Sequence, residues 1–189
     1  MMYEKLFSDD ALGNFIKTKQ EQMVSEINNY QSELNSDINT LCEQLYEKYR
    51  LKIPNLKIDN ISIDNHSEVK DGIAVTFALP FEGDSTLFKH RPLQYYPTAV
   101  FGTIVGKGIH LTYTRTDYNP EAMKAELNSD IEKIKEIFGW VSKDITLYNE
   151  KIKEVARQLI EFRKEKLPKD RQMIESLGFP IKTEKQEPF

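Results

Sequence analysis

The stretch LNSDIEKIKEIFGWVSKDITLYNEKIKEVARQLIEF, residues 127–162, decides the fold because its apolar residues recur in alternating steps of four and three. Ten steps cover 35 residues, so the period is 3.5 residues over five heptads, which is typical of a left-handed coiled-coil seam. Such a stripe requires a helical partner. The predicted helix-pairing or oligomer seam consists of Leu127, Ile131, Ile134, Phe138, Val141, Ile145, Tyr148, Ile152, Val155, Leu159 and Phe162.

The sequence on both sides of the seam predicts one helix over residues 119–177. Asn119 is a suitable N-cap, and a proline follows it at the first helical position. Gly139 costs about 1 kcal/mol relative to alanine in a helix interior, and Pro168 cannot donate a backbone hydrogen bond. A kink or break near either residue therefore stays open. A polar, frayed tail is expected at residues 182–189.

A second helical pattern covers residues 8–51, ahead of the central region. Its apolar residues from Met23 to Tyr49 recur about every 3.7 residues, which predicts a straight or slightly right-handed stripe. Ser8 is a plausible N-cap. Pro54 disfavours helical geometry in the residue before it, so the helix is expected to end just ahead of it.

Between the two helices, residues 55–117 alternate apolar and polar side chains, which indicates strands. The glycine-rich residues 106–108 suit a hairpin turn. The expected fold class is α+β: two long, coiled-coil-like helices flanking a small, mostly antiparallel four-stranded sheet, in a single domain of residues 1–189. Whether the helices pair antiparallel within one chain or with a second copy stays open.

Composition and motifs exclude several classes of protein. Hydrophobic residues make up 39% and charged residues 30% of the chain, which excludes a disordered chain and a membrane protein. The amino terminus lacks the apolar run of a secretion signal, so a cytoplasmic location without membrane contact is expected. The single Cys42 cannot form an internal disulfide. Neither metal-ligand spacing, a nucleotide loop nor a nucleophile elbow is found, so we expect no metal, no cofactor and no enzymatic activity.

Nucleic-acid binding is the alternative function. Residues 151–171 carry 8 basic and 4 acidic side chains, and the loop of residues 81–97 interleaves aromatic and basic residues. Both features can contact nucleic acid. The candidate contacts are Lys89, His90, Arg91, Tyr95, Tyr96, Arg157, Arg163, Lys164 and Lys166. The competing interpretation of the basic stripe is a solvated helix face with local ion pairs.

Two further interpretations concern the same loop. Long irregular loops are frequently functional, and an enzyme would require Glu82, Asp84 and His90 to converge in one pocket. The alternative is that the apolar side chains of the loop only hold it against the sheet. These side chains are Phe81, Leu87 and Phe88.

Several short segments of this sequence resemble a known family. They are LPFEGD at residues 79–84, LFKHRP at 87–92, DITLYN at 144–149, IEFRKEKL at 160–167 and LGFP at 177–180. Over roughly residues 75–182 the chain is similar to the amino-terminal region of an uncharacterised family of bacterial defence-associated proteins. In that family the region precedes a restriction-endonuclease-like nuclease domain, which is absent from this sequence.

The resemblance implies a function but no catalytic residues. It implies a non-catalytic sensing or oligomerisation module of a bacterial anti-phage defence protein, associated with a nuclease domain or subunit. A homo-oligomer is the partner expected first. The chain departs from the family after the loop, where it has PLQY at residues 92–95 in place of PSTF.

Overall fold

The computed structural model describes residues 4–94 and 99–179. The helices are α1 (Leu12–Asn28), α2 (Ile38–Tyr49) and α3 (Pro120–Ser176), with short 3-10 turns at Ser32–Asn35, Ile58–Asn60 and Ser85–Phe88. The strands are β1 (Glu4–Lys5), β2 (Asp9–Ala11), β3 (Asn55–Leu56), β4 (Ser62–Val69), β5 (Gly72–Glu82), β6 (His90–Arg91), β7 (Phe101–Val105) and β8 (Gly108–Arg115).

Strand β5 organises a curled antiparallel sheet. On one side β5 pairs with β8, and on the other side β4 pairs with its first part and β3 with its last two residues. The sheet order is β1-β7-β8-β5-β3, while β2 and β6 form a separate, parallel pair. The expected fold, two helices flanking a four-stranded sheet, is therefore wrong. The described residues form three α-helices and a larger sheet that includes residues from the amino terminus.

The predicted helix over residues 8–51 is two helices because its middle is rich in asparagine, serine and aspartate. Such side chains hydrogen-bond the nearby backbone and favour caps and turns over helix interiors. Asn29 follows the end of α1, and Asp37 caps α2 by accepting a hydrogen bond from the Thr40 amide at 3.0 Å. The apolar spacing continues across this break, which is why periodicity alone did not reveal it.

The segment ahead of α1 forms the short strands β1 and β2, and β2 replaces the first residues of the predicted helix. The Leu6 amide donates to the Val100 carbonyl at 2.9 Å, and the Phe7 amide donates to the Phe88 carbonyl at 2.7 Å. The side chains of Leu6 and Phe7 are buried. Ser8 is not a helix cap, since α1 begins only at Leu12. Two- and three-residue strands carry too little alternation to be detected in a sequence.

Helix α3 is continuous over 57 residues, which corresponds to about 85 Å. Asn119 caps it by accepting hydrogen bonds from two backbone amides, each at 3.1 Å. Neither Gly139 nor Pro168 breaks the helix. Gly178 follows its end with a φ of +67°, a conformation that glycine adopts without strain.

The buried face of α3 packs against α1, α2 and β8 of the same chain. Helix α2 runs antiparallel to α3: Tyr148 donates to the Tyr49 carbonyl at 3.0 Å, and Lys153 forms an ion pair with Glu43 at 2.6 Å. Burial raises the pKa of Tyr148 to about 12. Within the two described ranges, no helix has both the length and the apolar character required to cross a bilayer.

Candidate binding surfaces

The loop that begins at Phe81 is anchored to the core. Its residue Phe88 is fully buried and contacts three other aromatic rings. The ring centroids lie 4.7 Å from Phe81, 5.3 Å from Phe138 on α3 and 6.0 Å from Phe7 at the amino terminus. Leu87 is also fully buried. The apolar side chains of the loop thus join the sheet, α3 and the amino-terminal strands.

The polar part of the loop lies against the amino-terminal segment. The His90 ring stacks on Phe15 of α1 with centroids 4.6 Å apart, and Arg91 Nε donates to the Asp9 carbonyl at 2.8 Å. Lys89 is exposed. The remaining predicted contacts of this loop, Tyr95 and Tyr96, lie outside the described residues. His90 and Arg91 therefore have structural contacts that hold β6 beside β2.

The three residues considered for catalysis have separate structural partners. Glu82 forms an ion pair with Lys57 at 3.2 Å. Asp84 accepts hydrogen bonds from the Thr86 amide at 2.9 Å and from its hydroxyl at 2.8 Å. His90 stacks on an aromatic ring, as described above. Among the residues in the two described ranges, no group of histidine, cysteine, aspartate and glutamate side chains is arranged to hold a metal ion.

Two residues of the basic stripe attach α3 to the start of α2. Arg157 donates to Asn39 Oδ1 at 2.6 Å, and Lys164 Nζ donates to the Ser36 carbonyl at 3.1 Å. Arg163 Nε is buried and has no hydrogen-bond partner among the described residues. Arg157 and Lys164 thus make contacts within the chain that the side chains of a fully solvated helix face would not make.

The two basic groups of the nucleic-acid alternative do not lie together. The loop reaches α3 at Asp144, whose carboxylate accepts a hydrogen bond from the Leu93 amide at 3.1 Å. Arg157 is 13 residues further along the helix, which places it about 20 Å away. Lys166 lies beyond it and contacts Asp170 at 3.8 Å. Among the described residues, the candidate contacts of the loop therefore lie apart from Arg157, Arg163, Lys164 and Lys166 of the basic stripe.

The predicted seam divides into a buried and an exposed part. The seam residues from Leu127 to Ile152 are buried. Beyond Ile152, the buried positions are Ala156 and Ile160. The remaining seam residues are not buried: Val155 and Leu159 are half-buried, and Phe162 is 64% exposed.

We use the name outer face for the apolar positions at the carboxyl end of α3 that are only half-buried or are exposed. At 100° per residue they lie within an arc of about 60°. The outer face consists of Val155, Leu159, Phe162, Met173 and Leu177, which directly follows the helix. Met173 is 63% exposed. Lys166 lies in the same arc and Lys169 about 20° outside it, where long lysine stems can cover apolar surface while their ammonium groups stay in water.

The opposite side of this part of α3 is partly covered. A cleft of about 740 Å³ lies between Leu34, in the connection from α1 to α2, and Lys164, Leu167 and Arg171 of α3. The predicted seam ends at Phe162 and therefore omits Met173 and Leu177. The signal that identifies Met173 is the same alternation of four and three, continued from Phe162 through Lys166 and Lys169.

Comparisons with known proteins found no match for this chain. No protein-family model, curated protein or solved structure matches this chain. The resemblance to defence-associated proteins stays a prediction. The support for the candidate surfaces is therefore the geometry of this chain alone.

Proposed function

We propose that the chain is a non-catalytic oligomerisation module, in which the outer face of α3 binds the outer face of a second copy. The observation that carries the proposal is the division of the seam after Ile152. Beyond Ile152 the heptad positions become progressively exposed: Val155 and Leu159 are half-buried against the core, and Phe162 and Met173 are 64% and 63% exposed.

A second copy is the occupant that fits this surface. Helices pair through matching apolar spacing, and a copy of α3 supplies the same 3.5-residue repeat. The outer face also continues directly from the interface that α3 forms with α2, at Ile152. Since one patch meets itself, the expected assembly is a two-fold dimer.

The dimer is expected to be reversible. Full burial of a phenylalanine or methionine side chain contributes about 1.5–3 kcal/mol, and only the exposed part of Phe162 and Met173 remains to be buried. Association has an entropic cost of about 4–15 kcal/mol. The oligomeric state should therefore depend on protein concentration.

Solution mass by light scattering over a range of concentrations tests the proposal. We expect the wild type to pass from monomer to dimer, and the double variant Phe162→Glu/Met173→Glu to remain a folded monomer. Ile63→Glu on β4 is the matched control because Ile63 is equally exposed, at 63%, but lies on the sheet. A wild type that is monomeric throughout, or a control that dissociates equally, contradicts the proposal.

The wider proposal places this module in the cytoplasm, in an anti-phage defence protein whose dimer brings nuclease subunits together. Its support is the resemblance of residues 79–92 and 144–180. A plaque assay tests it in cells that express the chain with its neighbouring genes. The wild type should lower phage plating efficiency and the Phe162→Glu/Met173→Glu variant should not; equal plating with and without the chain contradicts it.

Nucleic-acid binding remains the alternative, and the separation of its two basic groups makes it the weaker one. It predicts duplex or single-strand binding that falls steeply with salt. The discriminating variant is Lys164→Gln, which changes the stripe without changing the outer face. Absent or salt-independent binding contradicts this alternative.

A further inference from the structure

A basic cleft of about 660 Å³ lies where α1, the end of α2 and two turns of the sheet meet. Its lining includes the five cationic side chains Lys19, Lys48, Arg50, Lys52 and Lys107. The acidic side chains that line it are Glu47 and Asp84. None of these cationic residues belongs to the basic stripe or to the outer face.

Two of the five cations are neutralised by neighbouring carboxylates. Lys48 forms an ion pair with Glu26 at 2.6 Å, and Arg50 with Glu47 at 2.8 Å. Burial opposes the ionisation of Glu26, but hydrogen bonds from Lys48 and Tyr49 outweigh it and hold the pKa of this carboxyl below its ordinary value. The pair of Lys48 with Glu26 therefore persists at neutral pH.

Three lysines of the cleft have no carboxylate partner among the described residues. Lys19 belongs to α1, Lys52 follows α2, and Lys107 lies in the turn between β7 and β8. Asp84, which also lines the cleft, already accepts two hydrogen bonds from Thr86. The cleft therefore has an excess of positive charge supplied by three separate elements.

One wall of the cleft is formed where the backbone at Gly83 lies very close to the backbone at Pro54. Gly83 has a φ of +110°, and a Cβ at this position would lie 2.8 Å from the Cα of Pro54. Only glycine permits this conformation and this contact. Lys107 Nζ donates to the Gly83 carbonyl at 2.7 Å, so the turn lysine is held at the cleft.

The floor of the cleft is fixed to α3. Asn149 Oδ1 accepts a hydrogen bond from the Leu51 amide, and Asn149 Nδ2 donates to the Leu51 carbonyl, both at 2.9 Å. This pair holds the backbone between Arg50 and Lys52. The cationic groups therefore project from ordered backbone, which lowers the entropic cost of binding a ligand.

We propose that this cleft binds a small molecule through its oligophosphate group. The volume is within the range of about 300–1,000 Å³ of small-molecule sites, and lysines from three elements can contact successive phosphates of one chain. Phosphate oxygens form charge-assisted hydrogen bonds with ammonium groups. The aromatic residue of the lining, Tyr49, is buried and donates its hydroxyl to Glu26 at 2.6 Å. The lining thus offers no exposed aromatic ring on which a nucleobase could stack. The proposed recognition is therefore of the phosphates.

Isothermal titration calorimetry at low ionic strength, in buffer without phosphate, tests this proposal with tripolyphosphate, ATP and adenosine. We expect tripolyphosphate and ATP to bind with similar affinity and adenosine not to bind. Lys52→Gln and Lys107→Gln should each weaken binding by about tenfold, as loss of one charged hydrogen bond does. Lys17→Gln is the matched control, because Lys17 is also on α1 but is 74% exposed, pairs with Glu21 and lies outside the cleft.

Four results would overturn the proposal. They are no binding of tripolyphosphate at millimolar concentration, no effect of Lys52→Gln and Lys107→Gln, an equal effect of Lys17→Gln, and tight binding of a single-stranded oligonucleotide that tripolyphosphate does not displace. The last result assigns the cleft to a nucleic-acid strand. Circular dichroism of each variant verifies that these exposed substitutions leave the fold intact.

Discussion

Replacement of Phe88 by alanine should be among the most destabilising single substitutions in this chain. The side chain is fully buried, and its ring contacts Phe81, Phe138 and Phe7. These rings belong to the sheet, to α3 and to the amino-terminal segment. Truncation therefore leaves a cavity where three parts of the fold meet.

The size of the effect follows from the environment of the ring. Phenylalanine to alanine in a core costs about 3–5 kcal/mol, because transfer energy is lost and a cavity remains. Each aromatic contact adds about 0.5–1.5 kcal/mol beyond buried area, which places Phe88→Ala at the upper end. Total stability of a domain is about 5–15 kcal/mol, so the variant should retain only part of it.

Urea unfolding followed by far-ultraviolet circular dichroism measures this loss. With an m value of about 2 kcal/mol/M, a loss of 4 kcal/mol lowers the midpoint by about 2 M. Phe101→Ala is the control, since Phe101 lies on β7 but is 57% exposed, and should cost less than about 1 kcal/mol. A loss below about 1 kcal/mol for Phe88→Ala refutes the conclusion that the loop is held by its apolar side chains.

Three further predictions concern local features. Because the pKa of Glu26 is lowered in the folded chain, its carboxylate stabilises the fold above the ordinary glutamate pKa and this contribution is lost as pH falls through the folded value. Urea unfolding between about pH 6 and pH 3 should show a smaller loss of stability for Glu26→Gln than for the wild type. Gly83→Ala should lower the free energy of unfolding by at least about 2 kcal/mol. Gly106→Ala, whose added Cβ meets nothing within 4 Å, should lower it by about 1–2 kcal/mol because of its positive φ alone. Equal losses of stability in urea unfolding contradict this prediction. Asn119→Ala removes the cap of α3 and should cost about 1 kcal/mol, seen as a thermal midpoint lower by about 2–4 °C, and an unchanged midpoint contradicts it.

Signals confined to a few neighbouring residues predicted α3 well. Asn119 before a proline is a cap whose chemistry depends only on adjacent backbone amides. The break considered at Gly139 or Pro168 does not occur. Gly139 lies within the long buried face, whose packing outweighs a local cost of about 1 kcal/mol. The helix also continues through Pro168, although Ile160 is the last buried residue of α3.

The parts of the fold that the sequence did not predict depend on partners distant in sequence. The backbone amides of Leu6 and Phe7 donate to the carbonyls of Val100 and Phe88, and no pattern near residue 7 predicts these partners. The same applies to the cleft. Lys19, Lys52 and Lys107 are separated by dozens of residues, and only the fold brings them to one place.

The division of the seam follows from the geometry of a straight helix. A strict 3.5-residue repeat drifts by about 20° per heptad around an α-helix of 3.6 residues per turn. Over the five heptads from Leu127 to Phe162 this amounts to about 100°. A partner that supercoils with α3 along its whole length compensates for the drift, but α2 has only 12 residues.

The buried positions of α3 therefore follow a different spacing from the seam. When the adjacent Ile137 and Phe138 are counted as one position, the buried residues from Met123 to Ile160 take ten steps over 37 residues. This is 3.7 residues a step, and such a stripe keeps a nearly constant orientation on a straight helix. By Phe162 the heptad positions have turned away from the body of the chain. The proposed dimer would cover the positions that have turned away, Phe162 and Met173, with the α3 of a second copy, whose apolar residues have the same spacing.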